Sequence, residues 1–566
     1  MRVEPPGGTL GPEGVTLTVI TNPVGLPVGS NTGTVTLTFL ELAGGKQTLN
    51  TTPVTGSKPV SVTLVTPVTN KGKDAPVAES LIIPAVAHAT GVSSEWQTDM
   101  RLLNLGTEKQ KYALNLTVSG EDGTQTGKSS ELELAPGQTS ALNDVVKQWY
   151  GLGSLPGESA TGVLEIRPLG KTGLGKGSTA IPVTRALVSL ASSRTYNKTP
   201  QGTLGEYIPA IPFASFVGGA VPADGGAKSI LSLQQLAQTA DYRTNVGVVE
   251  ASGQPVEIEI RFFDGEGEKL LTVPLSLKAS EHRQLNQILA TQGLTNVTTA
   301  RAEIEVLAGE GKIAAYASVV DNITGDPLQV HAVDLASLGA RKYVMPGIAH
   351  FDTGQARWRS DVQMFNAGLA SVTATVAFFP GGASAPAKTA TVEIGPGSLR
   401  TLGDIVPTLF GENNTGGAIQ ITTATDSQLV VTGRTYDQRE EGSYGQFMAA
   451  VTEDDAIGLG DRPVQVLQME QSRNIRSNLG IVEVTGKPVR VEISAYPAES
   501  RVTPRVELTL QPNEFRQINQ VLSALNAGTT YNARIALRVV GGDGKIVAYG
   551  SAVDNLTQDP TYIPGQ

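Results

Sequence analysis

Short stretches in which polar and apolar residues alternate recur along the whole chain, and Gly- and Pro-rich turns separate them. Residues 257–262, for instance, read Glu-Ile-Glu-Ile-Arg-Phe, the two-residue period of a strand with one buried face. The turn Asp-Gly-Glu-Gly follows at 264–267. No helical pattern of ten or more residues separates the strands, as a parallel sheet with crossover helices would require. The pattern therefore predicts an all-β chain of antiparallel strands.

The chain also contains two long copies of one pattern, at 81–338 and 343–566. Pro-Ala-Val-Ala-His at 84–88, for example, returns as Pro-Gly-Ile-Ala-His at 346–350. Self-similarity of this length indicates that one architecture is used twice.

Each copy divides again, because two short motifs occur four times. The first is a tetrapeptide of a large apolar residue, Arg or Gln, Thr or Ser, and Asp or Asn, and an alternating strand continues from it. Its four occurrences are Trp96-Gln97-Thr98-Asp99, Tyr242-Arg243-Thr244-Asn245, Trp358-Arg359-Ser360-Asp361 and Ile475-Arg476-Ser477-Asn478.

The second repeated motif has apolar residues at i, i+3 and i+4, the spacing of one helical face, and predicts a short helical turn. Its four occurrences are 142–146, 285–289, 402–406 and 518–522.

We therefore predict tandem Ig-like antiparallel β-sandwich domains. Each module should have six or seven strands and one short helical turn, with a closed barrel per module as the alternative. The predicted modules are 1a (81–222), 1b (223–338), 2a (339–460) and 2b (461–566), preceded by a linker at 69–80 and a separate segment at 1–68.

The segment at 1–68 does not match the four modules. The Gly8-Thr9-Leu10 turn leads into alternating strands at 15–20 and 34–39, and this arrangement resembles bacterial BACON-type Ig-like domains. The resemblance implies a secreted or surface-attached protein, sometimes with carbohydrate-active neighbours. The strands that should open such a domain are missing from the sequence. A truncated domain explains that, and the alternative is a strand supplied by a neighbouring subunit, which would build a head-to-tail fibre.

The long repeat resembles the Ig-like C-terminal regions of secreted bacterial proteins. The likeness lies in the Trp-x-Ser/Thr-Asp pattern and in Arg-Thr-Tyr at 194–196 and 434–436. It implies no catalytic role.

The composition limits the kinds of functional site that the chain can form. The chain has no Cys and only four His, which removes disulfides, thiolate catalysis and most structural zinc sites. A net charge of −10 argues against an electrostatic nucleic-acid binder. No stretch approaches the roughly 20 apolar residues of a membrane helix. Residues 1–6 do not open a secretory signal, because no apolar core follows Arg2.

Several polar groups are candidate sites with a structural alternative. Arg243 and Arg476 could bind anions, but a side-chain turn formed by the Asp or Asn of each tetrapeptide is the favoured interpretation. Trp96 and Trp358 are expected to pack on the core rather than stack on a sugar, and Trp149 should lie on the apolar face of its helical turn.

The loops at 321–326 and 554–559 offer carboxylate oxygens to Ca²⁺. The two pairs are Asp321 with Asp326 and Asp554 with Asp559, and turns that the Asp side chains stabilise explain these residues as well. His88 and His350 are repeat-equivalent, and without a second His or a carboxylate at ligand spacing they are expected in turns or the core.

Other motifs indicate structure rather than chemistry. Glu121-Asp122 and 453–455 are typical of solvated turns, and Asn115 opens a glycosylation sequon. No serine elbow, zinc-helix, phosphate-loop or dinucleotide motif occurs. No catalytic, cofactor-binding or metal-binding residue is therefore assigned, and no cofactor is expected.

These observations lead to a hypothesis of a non-catalytic, extracellular or cell-surface structural or adhesive protein. Self-association into a head-to-tail fibre by β-strand complementation is the assembly this hypothesis allows. The alternative is an array of carbohydrate-binding modules whose partner is a surface glycan. Against it, Phe, Trp and Tyr make up only 5% of the chain, whereas sugar platforms favour exposed aromatic residues.

Overall fold

The structure, a computed structural model, describes most of the chain from residue 76 onward. Side chains are described for 76–90, 95–153, 158–169, 188–220, 226–498, 500 and 502–566. Most of the BACON-like segment, including the Gly8-Thr9-Leu10 turn, and positions 70–75 of the linker at 69–80 lie outside the described residues. Before residue 70, the described backbone forms β1 (Arg2–Glu4), β2 (Thr18–Ile20), β3 (Gly29–Leu37), β4 (Lys58–Thr66) and β5 (Val68–Thr69). Strand β1 pairs with β2, and β3 pairs with β4.

The predicted all-β class is confirmed, because the described strands pair antiparallel in several sheets and the helices are short. Module 1a contains β6 (Leu81–Gly91), β7 (Ser94–Asn104), β8 (Gln110–Val118), β9 (Lys128–Leu134), β10 (Thr139–Leu142), β11 (Ala160–Leu169), β12 (Ser189–Thr199), β13 (Gly202–Pro209) and the short β14 (Ile211–Pro212). Module 1b contains β15 (Leu231–Gln238), β16 (Tyr242–Glu250), β17 (Val256–Asp264), β18 (Lys269–Leu277), β19 (His282–Leu285), β20 (Val297–Gly309), β21 (Ile313–Asp321), β22 (Pro327–His331) and the short β23 (Val333–Asp334).

The second copy has the same order of strands. Module 2a contains β24 (Ala340–Asp352), β25 (Arg357–Asn366), β26 (Val372–Pro380), β27 (Lys388–Ile394), β28 (Leu399–Leu402), β29 (Thr415–Ser427), β30 (Leu429–Arg439) and β31 (Gly442–Ala449). Module 2b contains β32 (Val464–Gln471), β33 (Ile475–Glu483), β34 (Val489–Pro497), β35 (Arg505–Leu510), β36 (Phe515–Ile518), β37 (Thr530–Gly542), β38 (Ile546–Asp554) and β39 (Pro560–Pro564).

All four modules share one sheet topology. In module 2b one sheet has the order β32-β37-β34-β35 and the other β36-β33-β38-β39, and the equivalent strands pair in the same way in the other three. In modules 1a and 2a the first two strands also pair with each other, which joins the two sheets at one corner. Eight strands form the two sheets that all four sandwiches share, which exceeds the predicted six or seven, and the short β14 and β23 are additional strands of modules 1a and 1b. The extra strand is the last, which is β13, β22, β31 or β39 according to the module.

The four predicted helical turns are present. They are α2 (Val145–Trp149, a π-helical turn), α3 (Ile288–Thr291), α4 (Ile405–Phe410) and α5 (Val521–Ala524), and a further turn, α1 (Gly123–Thr126), caps the hairpin of module 1a. The residue before each predicted turn has a left-handed backbone, with φ between 40° and 48°: Asp144, Gln287, Asp404 and Gln520.

The apolar faces of the sheets form a core inside each sandwich, and smaller apolar clusters lie between sandwiches. Three such clusters join module 1a to 1b, 1b to 2a, and 2b back to 1a. Modules 2a and 2b are joined differently, because apolar residues of 2b pack into the core of 2a itself. The four modules therefore form a closed ring in which the two copies face each other. None of the described helices has the length and apolarity that a membrane crossing requires.

Candidate functional site at the junction of the four modules

The last strands of all four modules meet at the centre of the ring, and the predicted calcium loops lie there. The Oδ2 atom of Asp554 in module 2b accepts hydrogen bonds from the backbone N–H of Thr203 in module 1a (2.9 Å) and from its hydroxyl (2.8 Å). Asp559 Oδ2 accepts from the N–H of Gly205 at 2.8 Å. The other oxygen of Asp554 accepts from its own loop, at Leu556 and Thr557. Module 2b thus binds the hairpin of module 1a through two buried carboxylates.

The same arrangement holds module 2a against module 1b. Asp321 Oδ2 accepts from the N–H of Ser443 (2.9 Å) and from its hydroxyl (3.0 Å), and Asp326 Oδ2 accepts from the N–H of Gly445 (2.7 Å). We call each Asp pair, with the hairpin that it binds, a latch. In the latches, Oδ2 of all four Asp side chains and Oδ1 of Asp321 and Asp554 accept from N–H or O–H donors. Among the described residues no group of three or more acidic or His side chains is arranged to hold a metal ion.

Each latch requires a glycine where the hairpin approaches the carboxylate. Gly202 has φ +127° and Gly442 has φ +114°. A Cβ at Gly202 would lie 2.9 Å from Asp554 Oδ1, and a Cβ at Gly442 would lie 2.9 Å from Asp321 Oδ1. Any other residue would collide with the carboxylate and strain the backbone as well.

Three acidic side chains from three modules lie around the centre of the ring. They are Glu206 of module 1a, Asp326 of module 1b and Asp559 of module 2b, beside a cavity of about 110 Å³. Burial raises the pKa of Glu206 to about 8 and that of Asp559 to about 7. The pKa of Asp326 also lies well above its ordinary value, because of burial and then the charge of Asp559. The centre of the ring therefore favours protonated carboxyl groups.

Two half-buried arginines compensate part of this acidity. Arg194 donates to Thr561 Oγ1 and Thr203 Oγ1, both at 3.0 Å, so it touches both sides of the first latch. Arg434 donates to the hydroxyl of Ser443 at 2.6 Å, in the second latch. These residues are the Arg of the repeated Arg-Thr-Tyr motif, whose role is therefore to fasten modules together.

The tetrapeptides act inside the modules, and in a way that differs from the predicted turn at the strand entry. Asp99 Oδ1 accepts from the N–H of Asp144 at 2.8 Å, and Asn245 Oδ1 accepts from the N–H of Gln287 at 2.9 Å. Each tetrapeptide Asp or Asn thus holds the left-handed residue before the helical turn, and Asp361 and Asn478 do the same in the second copy. The Ser or Thr hydroxyl instead accepts from the N–H of the preceding strand, as Thr98 does from Ala87 at 2.8 Å.

The two arginines considered as anion binders are held by amide oxygens. Arg243 donates to Asn322 Oδ1 at 2.7 Å, and Arg476 donates to Asn555 Oδ1 and Gln558 Oε1, both at 2.8 Å. Burial lowers the pKa of both guanidinium groups, and Asp321 and Asp554 respectively oppose that shift.

The sequence prediction for the histidines was wrong in one respect, because each has a carboxylate beside it. His88 Nδ1 lies 3.0 Å from Asp144 Oδ1, and its Nε2 lies 3.0 Å from Glu95. His350 Nδ1 lies 2.9 Å from Asp404. Asp144 and Asp404 lie more than fifty positions from their histidines along the chain, so only the fold brings them together. In modules 1a and 2a, these contacts connect the first strand to the helical turn of the same module.

The three tryptophans have different surroundings. Trp149 packs on the core of module 1a as predicted, and it donates from Nε1 to Ser130 at 2.6 Å. Trp96 and Trp358 are only half-buried. Trp358 lines a groove between modules 2a and 2b, which corrects the prediction that it packs on the core.

The remaining motifs have structural contacts. Asp122 caps α1 by accepting from the N–H of Thr124, and Asp455 forms a reciprocal cap with Thr452. Asn115, the sequon residue, is buried and donates to Glu165 at 3.0 Å, so its amide is turned away from solvent.

Sequence reasoning missed the junction. Its acidic loops were recognised, but the hairpins they bind were not, and the last strand of each module was absent from the prediction. Prolines at 327, 560 and 564 disguise two of these strands, because proline in a strand pattern argues for an edge or a loop.

Comparison with known proteins adds no identity: no protein-family model matches the chain, and no curated protein matches it.

Proposed function

We propose that the protein is a non-catalytic structural or adhesive element that acts outside the cell or at its surface. The observation that carries this proposal is the closed ring, in which one latch joins modules 1a and 2b, which are distant in the sequence, and the other joins the consecutive modules 1b and 2a. Each latch is a set of hydrogen bonds to buried carboxyl groups of another module, so such a body suits a protein that bears load or presents a surface. The Ig-like and BACON-like resemblances remain predictions that agree with this role.

The placement of the perturbed acidic groups also favours a non-catalytic role. Carboxyl groups with a raised pKa are candidates for acid catalysis when a substrate can reach them. Here Glu206 lines a cavity of about 110 Å³, which suits a few water molecules rather than a substrate, and Asp559 is fully buried. We therefore interpret them as part of the fastening between modules.

Location is the first test of the proposal. Antibodies against the purified chain should label intact cells of the source organism or detect the protein in the medium. Protein found only inside intact cells would contradict the extracellular assignment.

Self-association is tested separately. Light scattering after size-exclusion chromatography, together with negative-stain electron microscopy, should show head-to-tail fibres if neighbouring copies complete one another through strand addition. A strict monomer at all concentrations would remove the fibre hypothesis and leave the adhesive one.

A carbohydrate-binding role is the second candidate, and one specific observation favours it, namely the groove that Trp358 lines.

A further inference from the structure

A groove of about 620 Å³ separates modules 2a and 2b. Phe351 and Trp358 line it from module 2a, and Phe515 lines it from module 2b. Its volume lies within the range of about 300–1,000 Å³ that is typical of ligand sites. Three aromatic rings from two modules therefore border one open space.

The first copy of the repeat places a set of hydrogen bonds at the equivalent position. Ser119 Oγ lies 2.8 Å from Thr161 Oγ1 and 2.6 Å from His282 Nδ1. These three side chains, which we call the polar trio, bridge module 1a to module 1b. His282 Nε2 also lies 2.9 Å from the hydroxyl of Tyr316, against which its ring stacks.

The second copy has lost the polar trio while its backbone is unchanged. Ser119 donates from its N–H to Thr161 O at 2.8 Å, and Gly381 donates in the same way to Gly416 O at 2.9 Å. The next N–H of each hairpin donates to His282 O in one copy and to Phe515 O in the other. The trio is therefore replaced by Gly381, Gly416 and Phe515.

This replacement opens the groove and makes its wall aromatic. Two glycines remove the hydroxyl side chains, and phenylalanine removes the imidazole that they contacted. Ala89 of the first copy likewise corresponds to Phe351 of the second. The two glycines give up the hydrogen bonds of the polar trio, while Phe515 is only 5% exposed and packs into the apolar core shared by modules 2a and 2b. The difference between the copies therefore leaves an open groove at this junction, and its accessible aromatic surface is that of the half-buried Phe351 and Trp358.

The polar side of the groove consists of planar groups that both donate and accept. Gln517, Asn519 and Gln520 are exposed there, and Arg476 lies among them. Amides carry two donors and one acceptor oxygen each, which suits neighbouring hydroxyl groups on a ligand.

The charge of the groove is small. Among its described lining residues there is no Asp or Glu, and Arg516 is neutralised by Glu514 behind it, with a 2.9 Å hydrogen bond from Nε. Arg476 is held by amides, with the charge of Asp554 nearby. A strongly charged ligand therefore finds neither a cluster of cations nor a cluster of anions to bind.

From these observations we infer that the groove binds a short neutral oligosaccharide. Trp358 and Phe351 pack against the C–H faces of the sugar rings, and the amides bond to the sugar hydroxyls. This inference rests on the proposed adhesive function, because it names the class of ligand to which that function would be directed.

Titration of the full chain with soluble sugars tests it. The probes are cellohexaose, xylohexaose, mannohexaose and the hexamer of N-acetylglucosamine, with hexagalacturonate as an acidic comparison. Calorimetry measures the binding of each probe. We expect a Kd below about 1 mM for at least one neutral probe and weaker binding of the acidic one. Trp358→Ala should weaken binding at least about tenfold, whereas Trp96→Ala, the equivalent change in the first copy, should leave it within about twofold.

A second variant restores the polar trio in the second copy. Gly381→Ser, Gly416→Thr and Phe515→His together should abolish binding while the melting temperature stays near that of the wild type. A Cβ at Gly381 would lie 3.6 Å from its nearest neighbour, so the serine has room, and Gly416 is tighter at 3.2 Å. If this triple variant does not fold, the loss of sugar binding expected for Trp358→Ala still tests the inference.

Three results would overturn the inference: no neutral probe binds below about 1 mM, only the acidic probe binds, or neither groove variant weakens binding. Any of these leaves the structural role standing, because surface labelling tests that role independently.

Discussion

The carboxylate of Asp554 accepts hydrogen bonds from both the backbone N–H and the hydroxyl of Thr203, which lies 351 positions earlier in the chain. One buried side chain of the last module therefore fixes the first module of the ring. The other copy uses Asp321 and Ser443 in the same way, so the contact belongs to the architecture rather than to one accident of packing.

Removal of this carboxylate should loosen the ring. Asp554→Ala leaves the N–H and the hydroxyl of Thr203 without their acceptor inside the protein, and we expect a loss of about 3 kcal/mol in the free energy of unfolding. Urea denaturation followed by circular dichroism measures it. Asp543→Ala, at an exposed hairpin turn, is the control and should change stability by less than about 0.5 kcal/mol. Equal effects of the two substitutions would show that the latch contributes nothing.

Stability should fall as the pH rises through neutrality. The folded-state pKa values of Glu206 and Asp559 are raised to about 8 and about 7, so the folded protein binds more protons than the unfolded chain between their ordinary and raised values. The stabilisation is therefore complete below the unfolded pKa values and is lost as the pH passes the folded ones.

The melting temperature between about pH 5 and about pH 8.5 measures this dependence. Glu206→Gln is the most direct variant to test, since the second copy already has Gln446 at the equivalent position. It should raise the melting temperature at the alkaline end and change it little at the acidic end. A wild-type protein that becomes more stable as the pH rises through neutrality would contradict the prediction.

The anchor of the helical turn can be tested in module 1b. Asn245→Ala removes the oxygen that accepts from the N–H of Gln287, whose backbone is left-handed with φ 48°. We expect a cost of about 1 kcal/mol, the value of a typical hydrogen bond. Asn286→Ala, at an exposed position beside it, should be nearly neutral. A neutral Asn245→Ala in chemical denaturation would mean that the left-handed residue needs no anchor.

Close packing predicts a strong effect at Gly247. A Cβ there would overlap the ring of the buried Tyr316, and Gly480 faces Tyr549 in the same way. Gly247→Ala should therefore destabilise the protein by about 2 kcal/mol or more. Gly354→Ala is the matched control, because a Cβ at that position meets nothing within 4 Å. Thermal unfolding compares the two, and a Gly247→Ala variant as stable as the control would show that the ring moves aside freely.

Local periodicity was enough to predict the class of the fold and its helical turns. The alternation at 257–262 lies in β17, and the i, i+3, i+4 pattern at 402–406 leads into α4. Such patterns depend on near neighbours, so one sequence contains them. The internal repeat added the four-fold organisation.

The junction could not be predicted in this way. Asp554 and Asp559 followed by turn residues have the same pattern as any loop in which an Asp side chain caps its own turn, and Asp554 does cap its own loop with one oxygen. Only the fold shows that the second oxygen binds Thr203. The groove was missed for a related reason: Gly381 and Gly416 are informative only beside the Ser and Thr that the other copy has there.

The separation of Asp554 from Thr203 also has a consequence for the order in which the molecule matures on the ribosome. The hairpin of β12 and β13 is synthesised long before the loop that receives it, so module 1a must wait for about 350 further residues before its latch can form. Until then β13 is an open sheet edge, the kind of surface on which nascent chains pair with the wrong partner. Its hairpin carries Lys198 and Glu206, and charged residues on a waiting edge are a known protection against such pairing.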